Sequence, residues 1–230
     1  MQQVGLHLAD HKTEAVLITS RKQTETMLLR VGNITLTTQP FIRYLGVLID
    51  ARLNFKKHVE SITTKSTAVV ANLSRLMPNV GGPKQKRRLL LTSEATSVLM
   101  YGAPIWSNAL TNQESRRKAA SVYRLSALRV ASAFRTVSED AVCIIAGMLP
   151  LQILAEERRS LCYLRRDTSV RLERKISLDH WQAHWDASSK GRWTHRLIPK
   201  VEVWLNRKHG EVGYYLTQML SGHGCFREYL

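Results

Sequence analysis

Cysteine is scarce in this 230-residue chain, and long apolar runs are missing. The three cysteines, Cys143, Cys162 and Cys225, are widely spaced and contain no Cys-x-x-Cys pair. This usage argues against a disulfide framework and favours a reducing compartment. No apolar run reaches the roughly 18 residues that a membrane span requires, and residues 1–14 lack the layout of a secretory signal. We therefore expect an intracellular protein, nuclear and cytoplasmic, with no membrane partner.

Acidic residues are also few: 18 Asp and Glu stand against 34 Lys and Arg, which leaves a net charge of +16. Residues 84–135 hold ten basic and two acidic residues, so half of the net charge lies in less than a quarter of the chain. Such clustering is typical of proteins that bind polyanions, because contacts with phosphates release condensed counterions. The alternative is a merely solvated surface. The charge pattern favours RNA, DNA or an RNA–DNA hybrid as partner.

Apolar periodicity divides the chain into a strand-rich start and a helical body. Short runs rich in β-branched residues predict strands, with Gly32-Asn33 as a hairpin turn between two of them. After Asp50 the apolar residues recur at spacings of three, four and seven, which predicts amphipathic helices. The predicted fold class is α+β, with a small β-rich N-terminal hairpin region followed by a predominantly α-helical body. The predicted strands are 15–20, 27–31, 34–37 and 41–49, and the predicted helices are 59–76, 87–100, 114–134, 138–147 and 150–166.

The helix over 114–134 is expected to bury an apolar seam that includes Val122, Leu125 and Leu128. For the next helix, Ser138 is a good N-cap, and Gly147 is a natural end. A rise in charge near 167–177 suggests a boundary. The chain is therefore divided into 1–55, 56–166 and a Trp-rich basic region, 167–230.

Motifs in the order of a known family run through most of the chain. Near the start stand GLHLADHKTEAVLITSRK (5–22) and PFIRYLGVLID (40–50). Further on come PNVGGPKQKRRLL (78–90), YGAPIW (101–106), YRLSALRV (123–130), AFRTVSEDAVCIIAGMLPL (133–151), GRWTHRLIP (191–199) and WLNRKHGEVGYYLTQMLSGHG (204–224). Together they resemble the reverse transcriptases of non-LTR (LINE-type) retrotransposons, from the end of the palm through the thumb and post-thumb region.

The resemblance implies RNA-directed DNA polymerase activity for an intact parent, with magnesium as its cofactor. In the family, a Tyr-x-Asp-Asp strand supplies the metal-binding carboxylates, and it would lie N-terminal to Met1. No two of the six aspartates of this chain are adjacent, and two-metal catalysis needs paired carboxylates. We therefore expect the fragment alone to bind no magnesium, to use no cofactor and to extend no primer. Whether it counts as an enzyme stays open.

Four further residues carry family roles by resemblance. Lys12 matches the lysine that would protonate the leaving pyrophosphate in an intact parent, a general-acid role. Arg43, Tyr44 and Gly46 match the hairpin that grips the primer terminus, where glycine permits close backbone approach and tyrosine offers a stacking face. The alternatives are an exposed surface lysine and a plain β-turn. Asp50 is expected to be a turn or capping residue.

Two basic clusters match the thumb region, whose helices cradle the product duplex in the family. Arginine and lysine there would contact phosphates without reading bases. The first cluster could instead be a nuclear-localisation patch, and either could be solvated surface. The candidate residues are Lys84, Lys86, Arg87 and Arg88 in the first cluster, and Arg116, Arg117, Lys118 and Arg124 in the second.

The C-terminal end holds possible zinc ligands: His180 and His184 lie four residues apart, and His223 and Cys225 follow. A closed zinc site needs four ligands, and no cysteine pair supports one here, so we expect no bound metal. Trp181 and Trp185 would share one helix face, where they would serve packing or base stacking.

Three hypotheses of different kinds remain open from the sequence. The first is a nucleic-acid-binding fragment of a retrotransposon RNA-directed DNA polymerase. The second is a stand-alone basic helical module for nucleic-acid binding or scaffolding. The third is the non-functional product of a decayed element.

Overall fold

Two antiparallel hairpins follow one another in residues 28–50. The computed structural model describes residues 12–21, 26–32, 34–163, 170–208 and 210–224. Strand β1 (Leu28–Val31) pairs with β2 (Ile34–Thr37), and β3 (Phe41–Tyr44) pairs with β4 (Val47–Asp50). The hairpin predicted around Gly32-Asn33 is confirmed, since β1 and β2 pair on either side of it, although Asn33 itself lies outside the described residues.

Two strand predictions were wrong in detail. Residues 41–49 form two strands rather than one, because Leu45 and Gly46 both have positive φ (46° and 83°) and make a two-residue turn between Tyr44 and Val47. Residues 15–20 form no strand; Val16 makes an isolated bridge to Gln39.

After Asp50 the described regular structure is helical. This agrees with the predicted α+β fold, in which a helical body follows the N-terminal hairpins. Their ends follow capping chemistry. Asn112 accepts hydrogen bonds from the backbone N–H groups of Glu114 (3.0 Å) and Ser115 (3.2 Å), and Ser138 accepts one from Ala141 (3.3 Å). The helices are α1 (Lys56–Ser74), α2 (Gln85–Leu99), α3 (Ala103–Trp106), α4 (Gln113–Ala131), α5 (Glu139–Ala146), α6 (Leu151–Tyr163), α7 (Val170–Ala187), α8 (Arg192–Leu197), α9 (Val201–Leu205) and α10 (Tyr214–Ser221), with a 3-10 turn at Ser107–Thr111.

The chain divides into two compact units, Met1–His58 and Val59–Leu230. The first boundary lies close to the one predicted at residue 55. The boundary predicted near residue 167 falls among residues outside the described part. The three-part division therefore stays a prediction.

The core of the helical unit centres on α5, in which Ala141–Ala146 are all buried, and on three tryptophans. Trp106, Trp181 and Trp185 are at most 1% exposed, and the indole N–H of Trp185 donates to the Ile198 carbonyl (2.9 Å). Both Trp181 and Trp185 therefore serve packing, and burial removes them from base stacking. Across the described residues, no helix has both the length and the apolar character that bilayer crossing demands.

Candidate nucleic-acid interface

The α4 helix separates its buried and charged residues as the sequence predicts, with one exception. Ser115, Ala119 and Val122 are buried, whereas Arg116, Arg117 and Lys118 are exposed. The exception is Leu125, which the seam prediction placed inside and which is 36% exposed. Tyr123, on a different side of α4, is buried, and its hydroxyl donates to the Leu149 carbonyl (2.7 Å).

A concavity of about 640 Å³ opens beside α4. Four guanidinium side chains line it, and they are called here the arginine groove: Arg116, Arg117, Arg124 and Arg135. Across the described residues, no ion pair engages Arg116, Arg117 or Arg135. Glu139, Asp140 and His184 lie at the same concavity. The groove therefore concentrates positive charge that intramolecular carboxylates do not neutralise in full.

Arg124 supports the groove rather than standing free in it. Its guanidinium donates to the backbone carbonyls of Arg135 and Val137, and the side chain is only half-exposed. These bonds hold the turn that follows α4, in which Ser132 takes a left-handed conformation (φ 54°) and reverses the chain. The reversal brings Arg135 to the groove.

Arg135 was absent from the candidate residues named from the sequence. No motif marks it, and the reversal at Ser132 that places it depends on packing of α4 against α5. The one available clue was its place at the end of the basic stretch 84–135.

Lys118 is exposed as predicted but is tied to its own protein. Its ammonium lies 2.9 Å from the Glu114 carboxylate and 3.4 Å from that of Glu60. The hydrogen bond with Glu114 is the main cause that raises the pKa of Lys118. Lys118 is therefore less available to a phosphate than its two arginine neighbours.

The first basic cluster separates into exposed and buried members. Lys84, Lys86 and Arg87 are exposed at the start of α2, where a polyanion could reach them. Arg88 is only 3% exposed, which corrects its assignment as a phosphate contact. Its guanidinium donates to four backbone carbonyls at 2.5–3.3 Å, those of Met77, Pro78, Pro83 and Arg129. Burial lowers the pKa of Arg88, and the positive charge of Arg129 lowers it further.

The Arg88 guanidinium also explains why glycine stands at position 82. A Cβ on Gly82 would collide with the Pro78 carbonyl oxygen and with the guanidinium itself. Arg88 thus holds the loop between α1 and α2 in place. It is therefore not available to contact a phosphate, unlike the other candidate residues of the first basic cluster.

The candidate residues of the first unit lie at its surface. Arg43, Tyr44 and Gly46 are exposed at the tip of the β3–β4 hairpin, and Tyr44 is 62% exposed. Lys12 is also exposed. The primer-grip role and the general-acid role of these residues stay predictions.

Asp50 is a capping residue, as expected. Its carboxylate accepts hydrogen bonds from the backbone N–H groups of Arg52 (3.0 Å), Asn54 (3.2 Å) and Phe55 (2.7 Å). These bonds use both of its oxygens to hold the turn that leads into α1.

Metal-binding side chains do not gather among the described residues, where no three His, Cys, Asp or Glu groups lie close enough to hold an ion. His184 instead bonds to Asp140, and Cys225 lies outside the described residues.

At one wall of the arginine groove, α5 and α7 meet through a small polar network. His184 Nε2 lies 3.0 Å from the Asp140 carboxylate, which also accepts the Ser188 hydroxyl at 2.6 Å. The hydrogen bond from His184 is the main cause that lowers the pKa of Asp140, and the same bond raises the pKa of His184. Beside them, burial raises the pKa of Glu139.

This network predicts a pH-dependent contribution to stability. The raised His184 pKa gives stability that is fully present below the ordinary histidine value of 6.5 and is lost as pH rises through the folded-state pKa. The lowered Asp140 pKa gives stability that is present above 3.8 and is lost in acid. His184→Gln should therefore destabilise the protein by about 0.2–1 kcal/mol at about pH 5.5, because half-exposed pairs are weak, and by less at about pH 8.

Thermal unfolding of wild type and variant at both pH values measures this difference. The two proteins differ only at position 184, so the difference between them reports on that side chain. Equal destabilisation at the two pH values would show that the contact does not depend on the His184 charge.

Comparisons with known proteins point to one kind of genetic element. The chain is 29% identical, over 82% of its length, to a 115 kDa protein in the type-1 retrotransposable element R1DM of Drosophila melanogaster. It is 24% identical over its whole length to a retrovirus-related Pol polyprotein from type-1 retrotransposable element R1 of Nasonia vitripennis, and 25% identical over 88% of its length to that of Bradysia coprophila. The resemblance to non-LTR retrotransposon polyproteins is confirmed.

The share of each relative that is matched differs widely. The chain spans 21% of the Drosophila protein, 22% of the Bradysia protein and 75% of the Nasonia protein. No family model and no solved structure matches the chain.

Proposed function

Because this chain is homologous over its whole length to the Pol polyproteins of R1 retrotransposons, we propose that its helical unit binds the phosphodiester backbone of RNA, DNA or their hybrid. In this proposal residues 59–230 serve as the thumb and post-thumb part of an RNA-directed DNA polymerase. The chain has no adjacent aspartates, so polymerisation by residues 1–230 alone is not part of the proposal.

The arginine groove is the observation that supports binding most strongly. Arg116, Arg117 and Arg135 meet at one concavity and, among the described residues, none is in an ion pair. Guanidinium groups match phosphate oxygens with paired N–H donors, and a concave wall raises the local field. Lys84, Lys86 and Arg87 extend the positive surface at the start of α2.

Salt dependence tests the proposal directly. The purified chain should bind duplexes of unrelated sequence with similar affinity, because phosphate contacts carry no base information. Its affinity should fall steeply between about 50 and 200 mM salt, since each neutralised phosphate adds about 0.9 to the slope of log K against log salt on B-DNA. Fluorescence anisotropy with labelled duplexes measures both properties.

Two results would contradict the proposal. Absence of binding at about 50 mM salt would remove the nucleic-acid function. Binding with no salt slope would show that the arginine groove does not contact phosphates.

A further inference from the structure

Three hollows on the helical unit are neighbours that share lining residues. The arginine groove shares Leu125 and Arg135 with a second hollow of about 490 Å³, which Arg129 and Phe134 also line. The second hollow shares Asn79 with a third one of about 470 Å³. The arginine groove, the second hollow and the third hollow therefore follow one another along the surface of the helical unit.

Aromatic side chains line the second and third hollows. Phe134 is 37% exposed and contacts Tyr214 edge to face, with ring centroids 6.0 Å apart. Tyr214 contacts Tyr215 in the same way at 5.4 Å, and Tyr215 is 71% exposed. Both tyrosines line the third hollow together with the exposed Lys84. These three rings, Phe134, Tyr214 and Tyr215, are called here the aromatic track.

Hydrogen bonds of buried side chains fix the segments that line the third hollow. Arg88 clamps the loop before α2 on one side through its four carbonyl contacts. On the other side, the buried Gln85 accepts the Val212 backbone N–H (3.1 Å) and donates to the Ile145 carbonyl (3.1 Å). Thr217 fastens α10 to the Ala131 carbonyl at the end of α4. The hollow is therefore built in advance of any ligand.

We propose that the aromatic track is a binding site for unpaired nucleobases, on which a single strand leaving the arginine groove stacks its bases. The proposal rests on the nucleic-acid binding proposed above and names the form of nucleic acid that the surface accepts. Exposed aromatic rings beside a basic groove are the elements that bind single strands without sequence preference, because every base has a face that stacks.

Charge and size agree with this ligand. The third hollow, at about 470 Å³, falls within the roughly 300–1,000 Å³ of small-molecule sites. Lys84 supplies a cation for the adjoining phosphate. Glu211, which also lines the hollow, is a hydrogen-bond acceptor for exocyclic amino groups such as N4 of cytosine. In a duplex the faces of the bases are covered by their neighbours. The aromatic track should therefore bind a single-stranded overhang in preference to a blunt duplex end.

The test compares three labelled substrates that share one duplex: a blunt end, an overhang of ordinary nucleotides, and an overhang of abasic nucleotides. The full 230-residue chain should prefer the ordinary overhang to the abasic one by about ten-fold, the effect of one base–aromatic stack. A 2-aminopurine in the ordinary overhang should lose fluorescence when the protein binds, because stacking quenches it.

Variants assign the effect to the track. Tyr215→Ala should remove the preference for the ordinary overhang and leave binding to the blunt duplex unchanged, whereas Tyr215→Phe should keep both. Tyr163→Ala is the matched control, since Tyr163 is 68% exposed on α6 and lines neither of the two track hollows. Equal melting temperatures would show that each variant is folded.

The outcomes separate the two proposals. Salt-dependent binding of the blunt duplex without any preference for the ordinary overhang overturns the aromatic track and leaves the arginine groove standing. A preference that survives in Tyr215→Ala also overturns the track. If the chain binds none of the three substrates, both the proposed nucleic-acid binding and the aromatic track are wrong.

Discussion

Arg88→Ala is expected to lower the free energy of unfolding by about 3 kcal/mol, because four backbone carbonyls, one buried and three partly buried, would lose their donor. The guanidinium reaches all four because its N–H groups point in different directions within one plane. Arg88→Lys should recover only part of the loss, since a single ammonium has fewer donors and a different shape. Urea unfolding monitored by circular dichroism measures these differences.

Arg87→Ala is the matched control, one residue away. Arg87 is exposed at the start of α2, so its loss should change stability by less than about 0.5 kcal/mol. It should instead weaken nucleic-acid binding modestly. If Arg88→Ala kept wild-type stability and reduced binding as Arg87→Ala does, Arg88 would be a phosphate contact after all and the clamp would be wrong.

The combined change of Arg116, Arg117 and Arg135 to alanine is expected to reduce duplex affinity on the order of 100-fold at about 0.1 M salt. The slope of log K against log salt should fall by about two to three, because each lost phosphate contact removes about 0.9. The loss should be similar for unrelated sequences. Anisotropy titrations at several salt concentrations, with melting curves of the same samples, give both quantities.

Lys118→Ala is the control that distinguishes the loss of an arginine in the groove from the loss of any positive charge on α4. It removes one positive charge from the same turn of α4, but that charge already lies beside Glu114 and Glu60. Its effect on affinity should be clearly smaller than that of Arg117→Ala. If the triple variant unfolded while binding per folded molecule stayed constant, the groove arginines would be structural.

Local chemistry determined much of the helical body, and the sequence therefore predicted it. Asn112 and Ser138 have side-chain oxygens that accept the first N–H groups of α4 and α5, and Gly147 adopts the left-handed conformation that ends α5. The predicted helices therefore matched α1, α2, α4, α5 and α6 to within a few residues. The order of the motifs along the chain also indicated its retrotransposon relatives, because that order can be read from the sequence without the fold.

Tertiary structure alone decided which residues of each basic cluster face solvent. Arg87 and Arg88 are neighbours of one type in the sequence, yet the rotation of α2 against the loop before it leaves one exposed and buries the other. Leu125 was expected inside because it is apolar, but it lines the arginine groove and is 36% exposed. Tyr123 is buried although it carries a hydroxyl, because that hydroxyl donates to the Leu149 carbonyl.

For the candidate site too, the sequence predicted the charge and the fold decided which residues come together. Composition placed half of the net charge in 84–135 and so indicated a polyanion partner. The groove required Arg135 to return to α4 through the turn at Ser132, and the aromatic track required Tyr214 to meet Phe134 across eighty residues of sequence. Such contacts depend on how helices pack, and packing is set by the sum of many distant side chains. The sequence by itself determined the charge, the helices and the relatives, whereas only the fold decided which side chains meet.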